Sequence, residues 1–161
     1  MSAVKKNYWL VKSEPSTYGI DAFKKDKRTP WEGVRNYQAR NHMRDGMAVG
    51  DLVLFYHSSA EPTGVAGIAK VASKPHADET QFDKSGEYFD PKATREAPRW
   101  MLVDLAFVEA FKAVVSRDAM AKNPKLKDMV VLQRGQRPSV QPVRAAEFAE
   151  VLKMAGAKTK P

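Results

Sequence analysis

The 161 residues, 43% of them hydrophobic and 29% charged, suit one globular domain with a real core rather than a disordered chain. Lys and Arg number 27 against 19 Asp and Glu, a formal charge of +8, which favours an anionic partner such as nucleic acid, although a merely soluble basic protein would carry the same balance. Cysteine is absent, which excludes disulfides, thiolate metal sites and a Cys nucleophile and is compatible with a cytoplasmic setting.

The apolar stretch behind Lys5 and Lys6 runs only from Tyr8 to Val11, too short for a signal peptide core or a membrane span. Asn7 to Lys12 reads as a first strand. Pro15 ends it, because it pushes Glu14 away from helix and lacks an N–H. Ile20 to Lys25 reads as a short helical turn with Ile20 and Phe23 on one face, and Thr29 to Gly33 as a loop carrying Trp31. Asn36 is placed to cap a helix from Tyr37 to Arg44 that stops near Asp45-Gly46.

Asp51 to Tyr56 is a nearly continuous apolar run, as expected of a strand buried on both faces. Gly64 to Ala72 is a second strand, whose Gly64 and Gly67 predict a bulge or a close approach. His76 to Arg99 is polar, with Pro91 and Pro98, and reads as a long excursion. Trp100 to Phe111 is expected as the longest strand, with Met101, Val103, Leu105 and Phe107 on one face. Ser116 can cap a helix through Ala121, Val130 to Leu132 and Ser139 to Val143 are short strand candidates, and Arg144 to Ala155 is an amphipathic helix stopped by Gly156. Residues 1–6 are expected as a flexible N-terminus, 7–155 as a single domain and 156–161 as a frayed tail. Many strands with short helices between them argue for an α+β fold built on a small barrel-like sheet.

Signatures of catalysis are missing: the sequence has no GxSxG elbow, Walker loop, GxGxxG or HExxH. His42, His57 and His76 have no ligand partner at helical spacing. No catalytic residue, metal or cofactor is therefore expected. The informative stretch is Trp31 to Asn41, in which Trp31 and Tyr37 bracket a turn beside Arg35 and Arg40. Aromatics stack on bases and arginines meet phosphates, so their interleaving suits a single-strand or flipped-base site. Taken alone, the same aromatics fit core residues flanking a helix start at least as well.

Further segments carry a resemblance. Tyr8 to Pro15, Trp31 to Asn41, Phe55-Tyr56-His57-Ser58, Gly64 to Gly67, Gln81-Phe82-Asp83, Tyr88 to Pro91, Trp100 and Ser139 to Pro142 together resemble the EVE family, over about residues 7 to 153. The resemblance implies a PUA-like mixed β pseudo-barrel with short helices packed around it, related to PUA, ASCH and YTH domains. It also implies a non-enzymatic reader of a modified base in DNA or RNA, of the stand-alone type, acting in the cytoplasm, nucleoid or nucleus and not on a membrane. Carried over by position, the base pocket would gather Lys12, Ser13 and Glu14, then Trp31, Asn36 and Tyr37, then Tyr56, His57 and Ser58, with Gln141 and Asp90 as weaker candidates.

Strand parity allows only one of Phe55 and Tyr56 to face that pocket, and Tyr56, nearer the strand end, is the expected one. Arg35, Arg40 and Arg44 are the expected phosphate contacts, while the Lys24 to Arg28 run reads first as a solvated face. Two other readings stay open. One is an ASCH-like enzyme acting on nucleotides or RNA, with Lys12, Glu14 and Tyr56 in acid–base roles. The other is a small-anion or protein-interaction module using the same pocket.

Overall fold

The structure is a computed structural model that describes residues 6–136 and 138–161; apart from Lys6, the expected flexible N-terminus lies outside them. The strands are β1 (Tyr8–Ser13), β2 (Arg28–Pro30), β3 (Leu52–His57), β4 (Gly64–Val71), β5 (His76–Ala77), β6 (Met101–Leu102), β7 (Asp104–Ser116) and β8 (Val140–Val143). The helices are α1 (Pro15–Tyr18), α2 (Ile20–Asp26), α3 (Tyr37–Asn41), α4 (Arg117–Ala121) and α5 (Ala145–Ala155). Six strands form one mixed sheet in the order β2-β7-β4-β3-β1-β8, in which only β1 and β3 run parallel, and β5 pairs with β6 beside it. Register shifts along β4 curl this sheet.

Alternation along the strands splits the core between the two faces of the sheet. Trp9, Val11, Phe55, Ala69 and Leu105 face a cluster roofed by Phe23, Trp31, Met43 and Val103. Leu10, Leu54, Tyr56 and Ile68 face a second cluster closed by Met120, Leu126, Met129, Phe148 and Val151. Phe23 stacks on Phe55 at 5.2 Å between centroids and meets Phe107 edge-on, so α2 is pinned over the first face. Each such fully buried side chain contributes about 1.5–3 kcal/mol. Gly67 lies where β4, β7 and α2 crowd together: a Cβ there would stand 2.4 Å from the Glu109 carbonyl oxygen and 2.7 Å from Ile20.

Local signals predict several elements well. Asn36 Oδ1 accepts from the Ala39 N–H at 2.9 Å and Ser116 Oγ from the Ala119 N–H at 3.1 Å, so both expected caps form. Gly156 closes α5 in the left-handed conformation.

Other expectations are corrected. Arg28–Pro30, expected in or beside a loop, is an edge strand on β7. The helix after Asn36 passes at His42 into a π turn that ends at Gly46. The strand expected from Trp100 divides at Val103 into β6, which pairs with β5, and β7, which pairs with β2 and β4 and runs on to Ser116. Val130–Leu132 forms a 3-10 turn rather than a strand. The expected tail carries contacts to the sheet: the Lys158 and Thr159 N–H groups and the Thr159 hydroxyl all donate to the Glu109 carboxylate on β7.

Candidate nucleic-acid interface

A cavity of about 640 Å³ opens where β1 ends and β2 runs into the Trp31–Arg35 loop. Lys12 and Ser13 line it from β1, Glu14 from the cap of α1, Thr17 and Tyr18 from α1, Trp31 to Arg35 from the loop, and Glu87, Tyr88 and Ser139 from distant segments. That size accommodates a single nucleoside.

Trp31 is its most buried aromatic, only 8% exposed. The indole packs edge-on against Phe55, at 5.7 Å between centroids, and against Tyr18 at 6.5 Å. The indole N–H groups of Trp9 and Trp100 donate to Asp51 and Asp90, whereas among the described residues no acceptor meets that of Trp31. Tyr18 donates its hydroxyl to Asp26 at 2.9 Å; burial, reinforced by that carboxylate, pushes its pKa up to about 12. The Ser13 hydroxyl donates to the Tyr18 carbonyl at 2.5 Å, tying β1 to α1.

A buried carboxylate shapes the outer wall. Asp78, 2% exposed, accepts from the Gly33 N–H at 2.8 Å, from Arg35 at 3.1 Å and from both the N–H and the hydroxyl of Thr80. Burial alone would raise its pKa, but these donors outweigh it and hold the carboxyl below its ordinary value. Gly33 has φ +83°, and a Cβ there would lie 2.8 Å from the Tyr88 ring, so the loop and Tyr88 fit together only through a glycine.

The structure gathers only part of the expected site. Lys12, Ser13, Glu14 and Trp31 line the cavity, whereas Asn36, Tyr37, Tyr56, His57 and Ser58 do not. Asn36 is the helix cap. Tyr37 lies outside, half-exposed and stacked on Trp100. Tyr56 is the plainest correction: it is 3% exposed and belongs to the second core cluster, while Phe55 underlies Trp31 on the cavity side. Proximity to the strand end decided less than parity did.

His57 Nε2 accepts from the Ile20 N–H at 3.1 Å, and burial lowers its pKa, as fits a neutral ring holding α2. The Ser58 N–H donates to the Ser13 carbonyl. Gln141 is buried on β8 and donates to the Pro138 carbonyl, and Asp90 anchors Trp100.

The expected phosphate contacts divide similarly. Arg35 spends its guanidinium on the Val34 and Tyr88 carbonyls, Thr80 and Asp78, so it is an internal clamp. Arg44 is exposed and paired with Asp45. Arg40 donates to the Arg99 carbonyl and to Asn41, and among the described residues it forms no ion pair.

The acid–base grouping of Lys12, Glu14 and Tyr56 is not assembled. Lys12 and Tyr56 are register partners, the Lys12 ammonium donates to the Gln136 carbonyl, and no hydrogen bond among the described residues joins the three. Burial, then Arg117, lowers the Lys12 pKa. Among the described residues no cluster of three or more His, Asp or Glu could hold a metal ion, and no helix is long and apolar enough to cross a membrane.

Tyr18, Asp78, Glu87 and Ser139 were missed as site residues. Tyr88 and Ser139 were noticed only as parts of motifs. The local cue for Asp78 was its position two residues before Thr80, which marks an Asx turn.

Comparison with known proteins extends these observations. Thymocyte nuclear protein 1 of Mus musculus is 36% identical over 167 residues, covering 92% of this chain and 73% of that protein. A solved structure of a hypothetical protein from Leishmania major superposes with a TM-score of 0.87 at 46% identity, covering 94% of this chain and 96% of the other. A crystal structure of human THYN1 in complex with DNA containing 5-methylcytosine superposes with a TM-score of 0.85 at 34% identity, covering 97% and 100%. The family model for the EVE domain matches residues 7–154. A curled mixed sheet with short helices on both faces is the PUA-like architecture of these relatives, and the chain belongs to the EVE domain family.

Proposed function

We propose that this chain binds DNA carrying a modified cytosine and holds that base in the Trp31 cavity. The observation that carries the reading is the composition of the cavity wall: aromatic and apolar surface from Trp31, Tyr18, Val34 and Tyr88 beside the carboxylates Glu14, Glu32 and Glu87. Flat rings accept the faces of a base, an apolar wall accepts a methyl group, and a carboxylate accepts from the cytosine amino group. The 34% identical human protein solved with 5-methylcytosine DNA supports the same choice of ligand. DNA as partner places the work in the nucleoid or nucleus.

Three carboxylates at the rim disfavour a small anion as occupant. The absence of a proton-transfer contact among Lys12, Glu14 and Tyr56 disfavours acid–base catalysis there. The test is binding at fixed salt to strands that differ only in one 5-methylcytosine, presented single-stranded, mismatched and in a matched duplex. The methylated strand should bind more tightly, most of all where the base is unpaired, because extrusion from a duplex costs a few kcal/mol. Equal affinity for methylated and unmethylated strands in every context would reject the reading.

A further inference from the structure

We propose that the exposed face of Tyr37 is a second stacking platform, which takes the base next to the one in the cavity while Arg40 and Arg99 face the phosphate between them. This rests on the cavity reading above. Tyr37 is 51% exposed, yet its ring is not loose: it stacks on Trp100 with centroids 4.8 Å apart and planes 18° from parallel. Trp100 is itself fixed, 6% exposed, with its indole N–H on Asp90 at 2.8 Å.

Arg40 stands 4.6 Å from the Tyr37 centroid and 5.9 Å from that of Trp100. A guanidinium capping the outer face of Tyr37 would be much farther from Trp100. Arg40 therefore does not sit straight beyond Tyr37 in line with Trp100, and half of the Tyr37 surface stays open to solvent. Arg99 reaches the Tyr37 hydroxyl from another side at 3.3 Å.

The platform is continuous with the cavity. Arg35, which lines the cavity, lies 5.4 Å from the Tyr88 ring and 5.1 Å from the Trp100 ring, so Tyr88, Arg35, Trp100 and Tyr37 form one ledge leading from the cavity mouth. Its charge fits a nucleic-acid strand: Arg35 is neutralised by Asp78, but among the described residues neither Arg40 nor Arg99 forms an ion pair. A rigid, half-exposed aromatic flanked by uncompensated guanidinium groups is the combination that single strands use, with stacking for the base and charge for the backbone.

The experiment uses the full chain and a short single strand with one 5-methylcytosine, in which the 5′ and 3′ neighbours are made abasic one at a time. Removing the base on one side should weaken binding by about ten- to a hundredfold. Tyr37→Ala should lose a similar factor on the intact strand and nothing further on that abasic strand, while Tyr37→Phe keeps the affinity. Arg40→Gln and Arg99→Gln should each flatten the salt dependence by roughly the 0.7 expected of one phosphate on a single strand. The proposal is overturned if both abasic strands bind the parent protein as well as the intact one does, or if Tyr37→Ala loses nothing. Should the parent protein ignore the methyl group, the cavity reading fails by itself, and the same abasic series on the unmodified strand still decides the platform.

Discussion

Arg35 and Asp78 meet at 3.1 Å, with the carboxylate almost wholly buried and the guanidinium side chain 22% exposed. This pair ties the Trp31–Arg35 loop to the excursion between β4 and β7, and the outer wall of the cavity depends on it. Removing the carboxylate leaves the Gly33 N–H, Thr80 and a half-buried cation without their acceptor. Asp78→Ala should therefore cost about 2–4 kcal/mol in a denaturant titration, and it should weaken binding as well.

The same carboxyl carries a pH signature. Its pKa in the folded protein lies below the ordinary carboxylate value. Its contribution to stability is thus complete above the unfolded pKa of about 3.9 and is lost as pH falls through the folded value. The stability difference between parent and Asp78→Asn should stay constant near neutral pH and shrink below about pH 4. A difference that widens in acid would show that Asp78 is not the stabilising ion described.

Gly33→Ala meets two separate obstacles, the φ of +83° and the Tyr88 ring at 2.8 Å. The backbone term should cost about 1–2 kcal/mol. The steric term should displace Tyr88 from the cavity rim and lower affinity. Combining Gly33→Ala with Tyr88→Ala should relieve the second term only, so the two stability changes will not add. Simple additivity in melting would place Tyr88 elsewhere in solution.

What could be read from the residues follows the range of the interactions. β1, β3, β4, α5 and the caps at Asn36 and Ser116 depend on alternation, helical spacing or bonds spanning three residues, and these are visible in a short window. β2 is three residues without periodicity and is a strand only because β7 pairs with it. The division at Val103 follows from partners distant in sequence, since β6 pairs with β5 whereas β7 pairs with β2 and β4. Part of the cavity lining was missed for the same reason: Tyr18, Glu87 and Ser139 are brought to Trp31 by topology alone. Arg35 illustrates a subtler limit. Its neighbours in sequence fit a phosphate contact, but apart from the Val34 carbonyl its partners lie 43 to 53 residues on.

Phe55 and Tyr56 allow the parity argument to be tested directly. Tyr56 is packed among Leu10, Leu54 and Ile68 on the face away from the cavity. Tyr56→Ala should cost about 3–5 kcal/mol, as large aromatic truncations in cores do. Tyr56→Phe, which keeps the packing, should bind methylated DNA as the parent does. Lost discrimination between methylated and unmethylated strands in Tyr56→Phe, with melting unchanged, would return Tyr56 to the site.

Trp31 requires a different measurement, because it is core and cavity wall at once. Its ring is 8% exposed and braced by Phe55 and Tyr18, so Trp31→Ala should lower stability by about 3–5 kcal/mol whether or not it touches a base. Stacking would add a binding loss of about 1–3 kcal/mol, but a destabilised variant cannot separate the two. The indole N–H groups can. Those of Trp9 and Trp100 are held by Asp51 and Asp90, whereas that of Trp31 meets no acceptor among the described residues. Titration with the free nucleoside 5-methyldeoxycytidine, too small to span from the cavity to Tyr37, should shift the Trp31 indole resonance in an amide-proton NMR spectrum and leave the other two in place. The assignment follows from the resonance missing in Trp31→Phe. If the nucleoside binds and the Trp31 resonance stays where it was, the base sits elsewhere, and the cavity is only the space left between α1 and the Trp31–Arg35 loop.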